Sequence, residues 1–227
     1  MHTLIVVAHP DKNSFTHAVA AEINKAITTS ADHSVEMADL VAEHFDPRYE
    51  LADHTLFTRR TPVPADVIAE QQRIDRAEAL VLVYPVYWWS FPGILKGWID
   101  RVFTNGWAYD DNAQGKVVKK LGRLKVHLVA IGGADLRTYA RHGYFGAMKT
   151  QIDHGIFDYV GANVVTSELL LVPEAGFPAS QLAVAQRIGN NIATAKQSPA
   201  EDDACQTPPE PAPVSAIAYH EKHDFPS

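Results

Sequence analysis

Cysteine is almost missing from this chain. Cys205 is the only one among 227 residues, so no intramolecular disulfide can form, and its polar, proline-rich surroundings give a catalytic thiol no walls. Metal-ligand spacing is missing as well: the 11 histidines are scattered, with no H-x-x-x-H or Cys-x-x-Cys pattern. The G-x-G-x-x-G fingerprint and the Walker loop are absent, and so is the Gly-x-Ser-x-Gly elbow of a serine hydrolase. No apolar run approaches the ~20 residues that span a bilayer. The stretch Met1–Val7 has no basic flank and too short an apolar run for a signal peptide, which makes the cytoplasm the expected compartment. Positive charge is also scarce. A formal net charge of −7 argues against a broad nucleic-acid-binding surface.

What is present reads as one α/β domain. Five apolar runs fit strands: Thr3–Ala8, Val35–Leu40, Ala79–Tyr84, Lys125–Ile131 and Asn163–Val172. Most are continuous, as in Leu80-Val81-Leu82-Val83, the pattern of strands covered on both faces; Val35–Leu40 alternates and reads as an edge. Between them, Phe15, Val19, Ile23 and Ile27 form one buried ridge of a helix over Ser14–Thr28. Further helices fit Ala65–Ala77, Pro92–Phe103, Phe145–Tyr159 and Pro178–Ala195, while His44–Pro64 reads as a surface excursion. Strand and helix in alternation give a doubly wound parallel sheet, with the flavodoxin-like order 2-1-3-4-5 favoured for five strands. The domain is expected to occupy residues 1–195. From about Lys196 onward the prolines and acidic residues cannot build a core, and 196–227 is expected to be a flexible Pro-rich tail, able to dock on a partner subunit.

In such a sheet, ligands bind beyond the carboxyl ends of the strands, and three segments converge there. The first, His9–Thr16, brings His9, Ser14 and Thr16 to a helix N-terminus, where free N–H groups and hydroxyls favour a phosphate; the plainer alternative is that Asn13 or Ser14 simply caps the helix. The second, Tyr84–Pro92, carries five aromatics in eight residues, suited to stacking on a planar ligand or to packing in the core or a subunit interface. The third ends on Gly132-Gly133, whose N–H groups can face a developing negative charge or which can form a bare turn. Together they describe a site for a phosphorylated, flat, redox-active ring: a flavin nucleotide.

The run Ala69-Glu70-Gln71-Gln72, the string Tyr84-Pro85-Val86-Tyr87-Trp88-Trp89-Ser90-Phe91-Pro92-Gly93-Ile94-Leu95-Lys96-Gly97-Trp98-Ile99-Asp100-Arg101-Val102-Phe103 and Gly106-Trp107-Ala108-Tyr109 resemble the NAD(P)H:quinone oxidoreductase family. That group includes DT-diaphorase, the bacterial modulator-of-drug-activity reductases and ancillary flavoproteins of potassium-efflux systems. The resemblance runs over most of residues 2–175. It implies that His9, Ser14, Phe15 and Thr16 hold the flavin phosphate or pyrophosphate. Pro85, Val86, Tyr87, Trp88 and Trp89 would line the ring, and Gly132 and Gly133 would address its N1/C2 edge. It also implies a homodimer in which Tyr109 reaches the partner's substrate pocket, with Tyr144 a further pocket residue. Relatives place a Tyr and a His after the Gly-Gly at a spacing this chain does not keep. Tyr139 and His142 are the nearest candidates for a proton relay, and packing at the flavin edge is the alternative reading.

The expected activity is two-electron reduction of quinones or similar flat acceptors by NAD(P)H, through ping-pong hydride transfer. The expected cofactor is FAD, with FMN the alternative. An azo- or nitroreductase with the same site, or a regulatory flavoprotein subunit of a transporter, are the rival readings.

Overall fold

The computed structural model describes residues 1–57, 61–111 and 117–195; the expected tail lies outside them. Five parallel strands, β1 (His2–Val7), β2 (Ser34–Asp39), β3 (Ala79–Pro85), β6 (Lys125–Gly132) and β7 (Asn163–Leu171), form one sheet in the order β2-β1-β3-β6-β7. Counted within that sheet, this is 2-1-3-4-5, the expected doubly wound order. A small antiparallel hairpin, β4 (Tyr109–Asp111) with β5 (Val117–Lys119), precedes β6.

Successive residues of a strand point to opposite faces, and the two faces gather separate cores. Leu4, Val6, Leu80, Leu82, Leu128 and Ala130 face α3 (Ala65–Arg76), α4 (Gly93–Val102) and the segment through Phe157. Ile5, Val7, Val81, Val83, Val129 and Ile131 face α1 (Phe15–Ile27) and α7 (Ala179–Thr194). This is why β3 is buried at every position: neither of its faces meets water. The edge strand β2 is only partly covered, as its alternating sequence requires.

The described part of the expected surface excursion, residues 44–57 and 61–64, is anchored at two buried residues, Asp53 and Leu56. It contains α2 (Leu51–Phe57), fixed by an ion pair between Asp53 and Arg101, both less than a tenth exposed. The Arg101 guanidinium also donates to the Asp66 carboxylate at 2.7 Å and to the Asp46 carbonyl at 2.8 Å. Glu70 and Gln71 join α3 to α4: Trp98 Nε1 donates to Glu70 Oε2 at 2.8 Å, and Gln71 Nε2 donates to the Val102 carbonyl at 2.9 Å. Much of the polar content of the family-like string therefore holds the scaffold under the site.

The helix expected over Phe145–Tyr159 divides into α6 (Tyr144–Met148) and a π-helical segment, Lys149–Asp158. Just before it, α5 (Leu136–His142) was not foreseen. Asp135 caps it by accepting from the Thr138 amide, and Gly143 ends it at φ 69°. α5 and α6 set Tyr139, His142 and Tyr144 beside the end of β6.

Candidate active site

The carboxyl ends of β1, β3 and β6 converge. The Val86 amide donates to the Ile131 carbonyl at 2.8 Å, so the aromatic bend after β3 is tied to the residue preceding Gly132. Tyr87 and Ser90 then exchange backbone hydrogen bonds at 3.2 and 3.1 Å across Trp88 and Trp89. Both tryptophans have positive φ, 50° and 60°, as a two-residue type I′ turn demands. Asn-Gly would meet that demand without strain. A bulky aromatic in this region costs on the order of 1–3 kcal/mol, and such strain collects at ligand clamps. Trp88 is 93% exposed, a large flat apolar surface on a stiff turn.

Trp89 turns inward. Its ring stacks on Tyr144 at 3.6 Å and 12°, and meets Tyr139 edge-on at 5.3 Å and 90°. His142 stacks on the other side of the group, 5.2 Å from Tyr144 at 26°. Tyr139, His142 and Tyr144 are thus brought together with Trp89. Tyr139 is 1% exposed, and burial raises its pKa, so the phenol keeps its proton at neutral pH.

The two glycines differ. A Cβ on Gly132 would meet Tyr139 Oη at 2.7 Å and Leu171 Cδ2 at 2.8 Å, whereas one on Gly133 would meet nothing within 4 Å. Gly132 lacks a side chain for the protein's own packing; Gly133 leaves its exposed backbone open to approach from outside. Gly133 thus presents an uncovered peptide, and Trp88 an uncovered indole.

At the β1–α1 loop, Ser14 is the N-cap of α1 and accepts from the His17 amide at 3.3 Å, so the capping reading of that residue holds. His9 Nδ1 lies 3.0 Å from the Asp11 amide nitrogen and 3.2 Å from the Asp11 carbonyl oxygen, so its ring is tied to the loop backbone. Phe15 packs edge-on against Phe177 at 4.7 Å, and Thr16 is buried.

A family model described as the flavodoxin-like fold matches residues 1–188. The chain belongs to that family. Among its members this flavodoxin-like protein falls with the NAD(P)H:quinone oxidoreductases. It is 31% identical over 172 residues to an uncharacterized NAD(P)H oxidoreductase of Haemophilus influenzae, covering 74% of this chain and 83% of that one. It is 28% identical over 185 residues to NAD(P)H dehydrogenase [quinone] 1 of Cavia porcellus, covering 73% of this chain and 66%, just under two thirds, of that relative. In structure it is similar to an NAD(P)H:quinone oxidoreductase from Methanothermobacter marburgensis, with a TM-score of 0.77, 29% identity and coverage of 85% and 98%.

Tyr109 stands apart from the other candidates. It lies at the far end of α4 from the tryptophan turn, a helix about 15 Å long at 1.5 Å per residue, where it meets Tyr159 edge-on at 5.3 Å. There it lines a cavity of about 460 Å³ with Tyr49, Phe57, Arg101, Ile156 and Tyr159. That cavity does not lie where the strand ends converge. The sequence reading missed His17 and Asp39. His17 Nδ1 lies 3.0 Å from Ser14 Oγ and its Nε2 lies 2.9 Å from Asp39 Oδ2. The available signal was the strand order, which sets the end of β2 beside the loop after β1.

Among the described residues no helix is long and apolar enough to cross a membrane, and no group of three or more His, Cys, Asp or Glu could hold a metal ion.

Proposed function

We propose that this chain is a cytoplasmic flavoenzyme that reduces quinones and similar flat acceptors with NAD(P)H in a two-step, ping-pong cycle. The observation that carries the reading is the strained Trp88-Trp89 turn, tied by the Val86–Ile131 hydrogen bond to the strand that leads into the open Gly133 backbone, in a chain whose relatives are quinone oxidoreductases. A flavin held by the β1–α1 loop, the tryptophan turn and the Gly132-Gly133 edge would supply the two-electron hydride chemistry.

The chain's own residues position and protonate. His9, Ser14, Phe15 and Thr16 hold the phosphate end at the α1 N-terminus. Pro85, Val86, Tyr87, Trp88 and Trp89 form the apolar wall that excludes water, and the Gly132 and Gly133 amides meet negative charge at the ring edge. Tyr139, its proton retained by burial, and His142, on the exposed side of the stack, serve as proton donors to the acceptor oxygen. FAD is the preferred nucleotide on the likeness of the Ser14-Phe15 turn to FAD-binding relatives; FMN is the alternative.

The working unit is a homodimer. Tyr109 is separated from Trp89 within one chain by the length of α4, so it contributes to a substrate pocket only from a second copy. The outward Trp88 and the half-exposed Tyr87 are surfaces such a copy would cover.

Steady-state turnover with NADH and NADPH against menadione, an azo dye and a nitroaromatic tests the reading. Parallel double-reciprocal lines with menadione as the fastest acceptor support it. Intersecting lines, or turnover of the azo dye alone, contradict it.

A further inference from the structure

Ser14, His17 and Asp39 form a connected row that the capping role of Ser14 does not use up. Asp39 ends β2, and its Oδ1 accepts from the Val41 and Ala42 amides at 3.2 and 3.1 Å. Its Oδ2 lies 2.9 Å from His17 Nε2. Burial alone would raise the Asp39 pKa, but the His17 hydrogen bond, the Ala42 and Val41 amides and the histidine's charge outweigh it and hold it below the usual carboxylate value. Asp39 is therefore an anion at neutral pH, and an anion 2.9 Å away requires His17 Nε2 to carry a hydrogen.

The remaining freedom is at Nδ1. Ser14 Oγ has one hydrogen to donate and two lone pairs, and one lone pair already accepts from the His17 amide. With His17 neutral, Nδ1 is an acceptor, and the Ser14 hydrogen is committed to it. With His17 protonated, Nδ1–H donates to Ser14 instead. Both lone pairs are then occupied, and the hydroxyl hydrogen is released toward the loop. We infer that His17 is a proton-dependent positioning residue for the cofactor's phosphate end: binding a phosphorylated flavin at the α1 N-terminus draws a proton onto Nδ1 and turns Ser14 into a phosphate donor.

The inference rests on the flavin reading above. Asp39 from β2 and His9 from the β1–α1 loop, with ring centroids 6.3 Å apart, are the titratable groups in contact with His17. Asp11 on the same loop is engaged with the Asn13 amide at 2.9 Å. The next turn of α1 offers Ala20 and Ala21, and α7 packs on α1 through the apolar Ala185, Ile188 and Ile192.

The test is calorimetric titration of the full-length apoprotein with FAD, FMN and riboflavin at pH 8, in phosphate-free buffers of different ionisation enthalpy. Wild-type protein is expected to take up a substantial fraction of a proton with FAD or FMN and none with riboflavin, which has no phosphate. Its Kd for FAD is expected to rise as pH rises, by up to about tenfold per pH unit. His17→Asn, which keeps a neutral donor near the position of Nδ1, should bind FAD with no proton uptake and a flat pH profile. If that variant does not fold, His17→Gln, which keeps a donor toward Asp39, carries the same test. Equal proton uptake by wild type and variant overturns the inference and leaves the flavin reading standing, as does binding of FAD or FMN by wild type without uptake. Failure to bind any of the three flavins overturns both.

Discussion

Trp89 and Tyr144 lie face to face, ring centroids 3.6 Å apart and planes within 12° of parallel. This contact joins the bend after β3 to the helix pair after β6, two segments more than fifty residues apart in the chain. Stacked pairs contribute about 0.5–1.5 kcal/mol beyond area burial, so Tyr144→Ala should raise the KM for menadione by about three- to tenfold, with Tyr144→Phe near wild type. Steady-state kinetics on the two variants checks this; equal effects would assign the role to the hydroxyl rather than to stacking.

Gly132 and Gly133 should respond oppositely to the same substitution. Gly132→Ala drives a methyl group into Tyr139 Oη and Leu171, an overpacking that costs about 1–3 kcal/mol and is read by urea denaturation. Gly133→Ala meets no protein atom. Its stability should match wild type while flavin affinity falls.

The tryptophan turn trades stability for binding surface. Trp88 is almost wholly exposed and has positive φ, so Trp88→Asn relieves strain and removes little buried area. The apoprotein should gain roughly 1 kcal/mol in denaturant unfolding and bind flavin more weakly. A less stable variant with unchanged affinity would contradict this.

His127 on β6 makes the fold acid-sensitive. Burial, then the charge of Lys125, holds its pKa down to about 4, while in an unfolded chain histidine titrates near 6.5. Between those values the unfolded chain binds a proton that the folded chain refuses. Stability should therefore be full above about pH 6.5, fall as pH drops toward 4, and lose nothing further from this group below that. The full effect is on the order of 3 kcal/mol, and urea midpoints against pH should lose this slope in His127→Gln.

The Asp53–Arg101 pair anchors α2 beneath α4. Removing one member of a buried pair leaves a charge without its partner, at about 3–5 kcal/mol. Asp53→Ala should sit near the lower end of that range, because Arg101 keeps Asp66 and the Asp46 carbonyl.

The sheet was readable because its central strands are buried on both faces while the edge strand β2 alternates: the five expected runs end within a residue of those observed. α2 was not readable. Of its seven residues only Asp53 and Leu56 are buried, and what fixes it is an arginine 48 positions away. The π-helical segment escaped for another reason, since apolar spacing near four does not separate α from π winding over ten residues. The aromatic and glycine segments of the site could be located because each follows directly on a strand. His17 and Asp39 could not, because their relation depends on β2 lying beside β1. Nor does the sequence reveal that Trp88 and Trp89 share positive φ, a strain that appears only in the backbone.

The most direct measurement is the visible spectrum of the purified full-length protein, with the nucleotide it releases identified by mass. The site described here predicts a yellow protein carrying FAD or FMN at up to one per chain, its absorbance bleached by NADH or NADPH and restored by menadione. A protein that remains colourless after incubation with both nucleotides would contradict it.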